Sequence, residues 1–528
     1  MRGLVNDCLR WLISRAVVRL GLLLAGVERV RIRTFFKSQK RLWRRYRLSA
    51  GTPVLSHGPE LELLIQEAAA RAGDKAQFAV TSGSTGQPKR HLYTKRRLRL
   101  LKLTYIDVFA RCCRGLGLKR TSLYVFSSLS EDDSLTSMLL AEKKLPPYLS
   151  TLQAPYRVQR HSALQHLASI YGTTAVRLWL LTLANPGVLY STNPSTISTF
   201  LDEINDDWTK GSRLIRDWCG QPETFDRIVH IIARRLESRG SAERLARIAA
   251  SKTPLSLDLC APAVAAYICW TGGYVKPFLN RLARYLPPER YQLIPMYSMS
   301  TETIETVSHF NEREVAFLPL ARGVLYEFID ETAEDRPESV RSVEQLEAGK
   351  TYTMVVSNRY GLRRYQTGDV FLCRGVIAGL PDLSFIRRRG LAYSFTGEKL
   401  TAEHVSAVFQ RLCEEIPSLE SDAFLTCVPS QPSADSIPHY KVLLVGAVRE
   451  DEFSLRELAR RCDQLLGEMN CEYKGKRESG RLGQVRFVHL SPGEFVDRIG
   501  SARQSNSWEA QFKFLPLYRH LWELTVVR

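Results

Sequence analysis

Residues 81–89 read Thr-Ser-Gly-Ser-Thr-Gly-Gln-Pro-Lys and follow a short apolar run at residues 77–80. Glycine tolerates positive φ and lets backbone N–H groups approach an anion, while hydroxyls and an ammonium group add donors and positive charge. The segment therefore predicts a phosphate-binding loop after a β-strand. A Walker A loop is disfavoured, because the two glycines are only three residues apart and a proline precedes the lysine. The alternative is an ordinary turn of Ser, Thr and Gly between a strand and a later helix.

The chain has 528 residues, a formal net charge of +19 and eleven cysteines. Its length allows two or more hydrophobic cores, and its composition is typical of a globular, multi-domain enzyme. The cysteines show no Cys-x-x-Cys pairing, so neither a disulfide scaffold nor a zinc site is indicated. We therefore expect a reducing, cytoplasmic compartment, and a monomeric protein.

Residues 1–50 form a basic segment with thirteen Lys and Arg residues and only two acidic ones, a net charge of +11. The basic residues recur among Leu, Val, Trp and Phe at helical intervals, which predicts two amphipathic helices. The longest apolar run, residues 20–27, is too short to span a bilayer. The preferred interpretation is a helical cap on the main domain with a solvated basic face. The alternative is a weak membrane-surface contact, and no nucleic-acid partner is expected.

Alternation of strand-like and helix-like runs indicates an α/β architecture with mixed sheets. Helices are expected at residues 61–70, 95–109, 163–183, 197–218 and 228–248, and strands at residues 77–80, 290–296, 324–329, 351–357 and 370–373. Past residue 389 a smaller α+β unit is expected, with helices at residues 403–415 and 455–468 and strands at residues 423–428, 441–445 and 484–489. We therefore predict a basic N-terminal segment (1–50), a large N-terminal domain (51–388) and a small mobile C-terminal domain (389–528).

A second candidate motif, residues 296–302, reads Met-Tyr-Ser-Met-Ser-Thr-Glu and follows a predicted strand. Tyr297 can stack on a purine, the hydroxyls can bond a phosphate, and the carboxylate of Glu302 can hold Mg²⁺. The alternative is a helix cap, in which a hydroxyl begins a helix beside an acidic residue.

Two further motifs lie downstream. Residues 361–370 read Gly-Leu-Arg-Arg-Tyr-Gln-Thr-Gly-Asp-Val, where Asp369 either belongs to a hairpin turn or presents its carboxylate to a ribose diol. Residues 385–390 read Phe-Ile-Arg-Arg-Arg-Gly and are followed by Phe-Thr-Gly-Glu-Lys-Leu at residues 395–400. This basic run falls where the architecture changes, so Arg388 is a candidate hinge.

In this order the four motifs resemble the adenylate-forming superfamily of acyl-CoA synthetases, adenylation domains and luciferases. Within it, residues 325–329, 352–370 and 397–400 resemble the auxin-responsive promoter family, and residues 473–482 and 511–516 resemble its bacterial-type relatives. The characterised plant members are acyl acid amido synthetases, which join jasmonate or indole-acetate to amino acids. The resemblance covers most of residues 77–516 and implies an adenylate-forming N-terminal domain with a C-terminal lid.

The resemblance implies a nucleotide site. The residues that would hold ATP phosphates are Ser82, Gly83, Ser84, Thr85, Gly86 and Lys89. Asp369 would hold the ribose, while Ser300, Thr301 and Glu302 would sit near the α-phosphate, with Glu302 as the Mg²⁺ ligand. Aligned on the Thr-Glu pair, the usual tyrosine position is Ser298, so Tyr297 either shifts to stack on adenine or that contact is missing.

The same resemblance implies catalytic roles for Lys89, Glu302, Arg388 and Lys513. Arg388 would be the pivot of the C-terminal domain, and both Arg388 and Lys399 are expected near the nucleotide. Lys513 is the candidate for the lysine that reaches the substrate carboxylate. Its competitors are Lys474 and Lys476.

The implied activity is that of an ATP-dependent, AMP-forming ligase that uses Mg²⁺. A carboxylic acid would be activated as an acyl-adenylate and transferred to an amine, expected to be an amino acid, to form an amide. Two alternatives remain open: an acyl-CoA ligase of the same fold, and a degenerate nucleotide-binding member of the family.

Overall fold

The computed structural model describes most of the chain between residues 2 and 518. The described residues are 2–56, 58–80, 90–126, 135, 161–192, 194–272, 276–311, 314–389, 392–393, 395, 398, 400–416, 419, 423–430, 437–446, 454–480, 482–491, 494–495 and 516–518.

Two helices, α1 (Arg2–Arg33) and α2 (Phe35–Arg45), open the chain, which confirms the two helices predicted for the basic segment. Helix α3 (Pro59–Ala72) begins with proline in its first turn, and α4 (Lys95–Gly115) is capped by the Thr94 hydroxyl. Helix α1 packs closely on α4, because a Cβ added at Gly21 would lie 2.2 Å from the Ala110 carbonyl oxygen.

Buried charged groups hold α1 in this position. The Arg111 side chain of α4 pairs with Glu28 at 2.5 Å, and Arg31 pairs with Asp107 at 2.7 Å. Near the start of the helix, Arg10 donates to the Leu236 carbonyl oxygen at 2.6 Å. Because a buried charge is costly unless paired, these contacts fix the helix on the large domain, as the cap interpretation predicts.

A four-stranded parallel sheet lies at the centre of the large domain, with strand order β3 (Leu123–Val125), β4 (Val188–Tyr190), β5 (Ala266–Ile268) and β6 (Gln292–Leu293). Its helices are α5 (Ser162–Tyr171), α6 (Thr173–Ala184), α7 (Pro194–Asp206), α8 (Trp208–Gly211), α9 (Arg213–Gly220), α10 (Arg227–Leu236), α11 (Ser241–Ala249), α12 (Leu257–Cys260) and α13 (Lys276–Tyr285). Buried Trp179 and Phe200 belong to the hydrophobic core that these helices share with the sheet.

The other sheets of the large domain are antiparallel. A hairpin pairs β1 (Gln77–Val80) with β2 (Arg90–Tyr93). A three-stranded sheet contains β7 (Tyr297–Met299), β8 (Ile304–Asn311) and β9 (Glu314–Leu318). A five-stranded sheet, in the order β11-β10-β12-β13-β14, contains β10 (Leu325–Asp330), β11 (Val340–Ser342), β12 (Thr351–Ser357), β13 (Tyr365–Ile377) and β14 (Leu380–Arg388).

The C-terminal part has its own hydrophobic cluster, drawn from residues 400–518. Its elements are β15 (Ala392–Tyr393), β16 (Leu400–Thr401), α14 (Ala402–Glu415), β17 (Ala423–Pro429), β18 (Tyr440–Gly446), α15 (Leu455–Met469), α16 (Cys471–Glu478) and β19 (Arg486–Leu490). Strand β18 pairs antiparallel with β17 and parallel with β19. The α+β character agrees with the prediction, while the exact domain limits stay predictions.

Several helices predicted as single elements are broken. The helix expected at residues 163–183 is interrupted at Gly172 (φ +88°), and the one expected at 228–248 at Gly240 (φ +73°). Glycine adopts this left-handed backbone conformation without a Cβ clash, so a helix can be interrupted there at little cost in free energy. The apolar periodicity continues across the breaks because successive helices pack on the same core, which explains the wrong prediction. In place of the single helix expected at residues 197–218, the structure has three helices, α7, α8 and α9.

All eleven cysteines lie among the described residues, and each is a free thiol. Within the described part of the chain, no helix is both long enough and apolar enough to cross a bilayer.

Candidate active site

The carboxyl ends of the parallel strands meet at one edge of the central sheet, which is where ligands bind in open α/β sheets. After β6, at this edge, the chain continues directly into the second motif at residues 296–302. Trp270, which follows β5, lies 5.1 Å between ring centroids from Phe385 of β14. The edge therefore faces the five-stranded sheet, and the candidate site lies between the two.

The predicted strand before the phosphate loop is confirmed as β1, with Val80 opposite Arg90 of β2. Residues 81–89 thus connect two paired strands. The loop residues predicted to hold phosphates, from Ser82 to Gly86 together with Lys89, lie outside the described residues.

The second motif forms a turn between β7 and β8. The Ser300 N–H donates to the Thr303 carbonyl oxygen at 3.0 Å, and a strand rather than a helix follows. The helix-cap alternative is therefore wrong. From outside the turn, the Tyr93 hydroxyl donates to the Thr301 carbonyl oxygen at 2.9 Å, and Arg97 donates to that of Glu302 at 2.6 Å.

The Glu302 carboxylate lies in a buried polar pocket. Its Oε1 is 3.6 Å from Nε2 of His91 and accepts a long bond of 3.4 Å from the Tyr365 hydroxyl. The side chain is only 3% exposed. Tyr365 belongs to the third motif, so the second and third motifs meet at this carboxylate.

The third motif is a β-bulge within β13. Thr353 of β12 pairs with Val370, but Val355 pairs with Gln366, so the segment between these two β13 residues is too long for regular pairing. Gly368 supplies the backbone angle that the bulge needs, with φ +80°. The hairpin-turn alternative for Asp369 is therefore wrong, and the bulge redirects the strand's side chains as bulges beside active sites do.

Glu305 of β8 is a further candidate site residue that was not predicted from the sequence. It is buried beside Asp369, and its Oε2 accepts a 2.5 Å bond from the Ser298 hydroxyl. Burial, together with the negative charge of Asp369, raises the pKa of Glu305 well above its usual value. Burial therefore favours the protonated form of this carboxyl group. The available signal was a carboxylate within the first half of β8.

Three acidic side chains are thus grouped: Glu302, Glu305 and Asp369. Ser298, the position where the resemblance expects a tyrosine, uses its hydroxyl to bond Glu305 and is buried. The backbone of Tyr297 pairs with Val307 in β7, and its side chain lies outside the described residues. Whether it stacks on adenine stays a prediction.

The hinge and lid residues are described only in part. Arg388 is the last residue of β14, and its backbone lies opposite Asp369 in the sheet. The Arg388 side chain, Lys399 and Lys513 lie outside the described residues. Pro516, close after Lys513 in the chain, accepts a 2.7 Å bond from the Cys427 N–H of β17.

Lys474 and Lys476, the competitors of Lys513, lie on α16. They face glutamates of the same helix, Glu478 at 3.9 Å and Glu472 at 3.7 Å.

Other residues of the family-like motifs have structural roles. Arg364 binds the buried Glu327 carboxylate and donates to the carbonyl oxygens of Ala50 and Thr52. Glu398 is fully buried and accepts a 2.5 Å bond from the Tyr440 hydroxyl. Both residues connect separate parts of the chain. Their occurrence in the motifs is therefore explained by packing and ion pairing, without a contact to the nucleotide.

A narrow cleft beside the second motif offers about 60 Å³ of solvent space and is lined in part by Arg97, Ser300, Asn358 and Tyr360. A larger open depression, of about 620 Å³, is lined by Lys119, Ala265 and Gln292, at the amino ends of the parallel strands. The depression contains no predicted site residue, whereas the cleft contains Ser300, so the cleft is the better candidate.

The fold is similar to that of solved acyl acid amido synthetases. The solved structure of AtGH3.15 acyl acid amido synthetase in complex with 2,4-DB superimposes with a TM-score of 0.69 at 15% identity, covering 96% of this chain and 94% of that one. A second GH3.15 acyl acid amido synthetase structure has a TM-score of 0.61 and covers 84% of this chain and 81% of its own.

Two parts of the chain match domains of the GH3 family. Residues 317–388 match the GH3 family central domain, and residues 403–520 match the GH3 family C-terminal domain. Both regions contain motifs on which the sequence resemblance was based, so the family prediction is confirmed.

Two curated relatives illustrate the sequence similarity. Indole-3-acetic acid-amido synthetase GH3.8 of Oryza sativa subsp. indica is 25% identical over 251 residues, 44% of this chain and 41% of the relative. 4-substituted benzoates-glutamate ligase GH3.12 of Arabidopsis thaliana is 26% identical over 233 residues, 40% of each chain. The aligned regions thus span about two fifths of these curated relatives.

Proposed function

We propose that the chain is an ATP-dependent, AMP-forming acyl acid amido synthetase. It activates a carboxylic acid as an acyl-adenylate and transfers the acyl group to an amino acid. The observation that carries the proposal is that the second and third motifs meet in the fold. Glu302 and Asp369, which are 67 residues apart in the sequence, are grouped there with Glu305. The GH3 family domains and the names of the relatives support the same activity.

In this proposal the bulge at Asp369 presents a carboxylate to the ribose diol. Burial favours the protonated form of Glu305, which adds no second negative charge beside Asp369 and leaves that carboxylate as the acceptor for the two ribose hydroxyls. The Ser298 hydroxyl and the burial of β8 hold Glu305 in place. Ribose recognition is thus built from β7, β8 and β13 together.

The residues present fit a magnesium ion that arrives with the nucleotide. Mg²⁺ takes oxygen ligands and is usually held by one or two carboxylates together with substrate phosphates. Glu302 offers buried carboxyl oxygens, and the nearby Ser300 Oγ is buried without a hydrogen-bond partner among the described residues. The ion would neutralise phosphate charge there. Within the described chain, no group of three or more His, Cys, Asp or Glu residues forms a metal site by itself.

The substrate carboxylate attacks the α-phosphorus and pyrophosphate leaves. The amine then attacks the acyl carbonyl, loses a proton and releases AMP. Both reactants of the first step are anionic, so positioning and charge neutralisation account for most of the rate. We assign neutralisation of the phosphate charge to Lys89 and the N–H groups of residues 82–86. The C-terminal domain would close over the site by pivoting at Arg388, with Lys399 near the nucleotide. Lys513 would contact the substrate carboxylate. A monomer in the cytoplasm stays the expected setting.

The test incubates the full chain with ATP, Mg²⁺ and a panel of carboxylic acids, with either amino acids or CoA as acceptor. We expect AMP release that depends on the acid, and an amide as product. A thioester formed with CoA instead would favour the acyl-CoA ligase. Absence of AMP and of pyrophosphate exchange with every acid would favour the degenerate nucleotide-binding protein.

A variant pair ties the activity to the site. Asp369→Ala should lower pyrophosphate exchange by roughly a hundredfold or more, the usual effect of losing a group that positions the reacting nucleotide. Asp330→Ala, at the half-buried end of β10, is the matched control and should exchange at the wild-type rate.

A further inference from the structure

The face of α1 that points away from the protein is rich in apolar side chains. Eight of them are between 41% and 69% exposed: Leu4, Val5, Trp11, Leu12, Leu22, Leu23, Val27 and Val30. Steps of seven and eleven residues return to the same line of an α-helix, because they are close to whole numbers of turns. Two apolar rows result, which we call the outer rows: Leu4, Trp11 and Leu22 form one, and Val5, Leu12, Leu23 and Val30 form the other.

A row of basic residues runs between the outer rows. By the same spacing, Arg15, Arg19 and Arg33 lie along the middle of the face, and all three are exposed. The Arg15 guanidinium lies over the Trp11 ring, 4.4 Å from its centroid. Arginine can keep its charged head in a polar layer while its stem covers apolar surface. The face therefore combines apolar area with positive charge.

Negative charge is absent from this face, because both acidic residues of α1 turn toward the protein. Asp7 pairs with Arg10 at 3.0 Å and accepts the Arg239 N–H at 3.0 Å. Glu28 is buried against Arg111. The next helix, α2, continues the positive charge with five exposed basic residues: Lys37, Lys40, Arg41, Arg44 and Arg45.

We propose that the outer face of α1 lies flat on an anionic phospholipid surface. The outer rows enter the headgroup region and the arginines bind lipid phosphates, the arrangement of interfacial amphipathic helices. The helix is about 48 Å long at 1.5 Å per residue, and it does not have the composition of a spanning helix. Its packing against α4 at Gly21 holds the face ready in the free protein.

The charge and apolar area of this face favour an anionic membrane over a second copy of the chain and over a nucleic acid. A second copy of the chain docking symmetrically by the same face would bring Arg15 and Arg19 against their own counterparts. A nucleic acid would satisfy the arginines but would leave the outer rows uncovered, since its affinity comes from phosphate contacts. An anionic membrane covers both kinds of side chain. The inference is independent of the proposed catalytic function, because the face carries none of the candidate site residues.

The test is flotation of the full chain with vesicles of phosphatidylcholine alone and of phosphatidylcholine and phosphatidylserine in equal parts. We expect binding to the anionic vesicles that weakens as salt rises. The apolar variant Leu12→Gln/Leu23→Gln/Val30→Gln and the charge variant Arg15→Gln/Arg19→Gln should each lower the apparent affinity at least tenfold. The matched control, Val376→Gln/Ile437→Gln, removes apolar side chains that are 62% and 56% exposed elsewhere and should bind like the wild type.

All substituted positions are exposed, so the variants should keep the wild-type thermal midpoint, which is measured beside binding. Failure of the folded wild type to float with anionic vesicles at low salt overturns the proposal. The proposal is also overturned if the charge variant loses vesicle binding while the apolar variant keeps it, because a site for any polyanion would behave in that way. Self-association that the apolar variant abolishes, without lipid binding, would assign the face to a second copy instead.

Discussion

Glu305 and Asp369 are neighbouring buried carboxyl groups, and burial together with the Asp369 charge raises the pKa of Glu305 well above its usual value. Burial favours the neutral form, so Glu305 binds a proton more tightly in the folded than in the unfolded protein. Its contribution to stability is complete below the unfolded pKa, about 4.3, and is lost as pH rises through the raised folded pKa. In that window the free energy of unfolding falls with pH, by up to about 1.4 kcal/mol per pH unit for one proton.

Glu305→Gln should flatten this decline, because glutamine keeps the shape and cannot ionise. The measurement is the urea midpoint of the nucleotide-free protein from about pH 5 to about pH 8, the range above the unfolded pKa. Glu338→Gln, which changes an exposed carboxylate, is the control and should follow the wild-type curve. A wild-type slope retained in Glu305→Gln would contradict the assignment of the proton.

Glu302→Gln should lower the rate of pyrophosphate exchange by roughly a hundredfold or more, because an amide oxygen holds Mg²⁺ and its phosphates far less well than a carboxylate does. Its control, Glu344→Gln, changes an exposed residue in the 3₁₀ turn that follows edge strand β11 and should retain the rate. Binding of ATP without Mg²⁺, measured by calorimetry, should change little. Wild-type exchange in Glu302→Gln would remove this residue from the reaction.

Gly361→Ala should destabilise the large domain by about 2 to 4 kcal/mol. Gly361 has φ +94°, and an added Cβ would lie 2.7 Å from the Ile65 Cα and 3.0 Å from the Leu64 carbonyl oxygen of α3. Gly379→Ala is the matched control, because Gly379 has φ +81° but open space around it. The control should lose only about 1 to 2 kcal/mol, the cost of the backbone angle. Equal losses would mean that the approach of α3 is unimportant.

Arg364→Ala should cost about 3 to 5 kcal/mol of stability, because it leaves the Glu327 carboxylate buried without its partner. It also frees the chain at Ala50 and Thr52. Arg336→Ala removes an exposed arginine that pairs with Glu334 and should cost less than about 1 kcal/mol. Urea unfolding of both variants decides the point, and a loss below that of Arg336→Ala would contradict the structural role.

Strands β1 and β12 and helices α14 and α15 were predicted to within a residue, because their signals are local, whereas α16 was not predicted. A strand of four to seven apolar residues between turns and a helix behind a Thr or Ser cap need little tertiary context. The breaks at Gly172 and Gly240 were missed because apolar periodicity continues past them. The bulge at Gly368 was missed for a different reason, since it depends on how β12 pairs with β13.

Sequence alone determined the resemblance to the GH3 family, the order of the motifs and the choice of Glu302 and Asp369 as candidate site residues, because these follow from residue type and spacing. Tertiary structure decided that the two carboxylates meet at a third, Glu305, and that Gly361 and Arg364 serve packing and ion pairing. It also turned the acidic side chains of α1 inward and left an apolar, positively charged face outside. Such facts depend on which surfaces of separate elements come together, and burial, not residue type, sets the charge state of a carboxyl group.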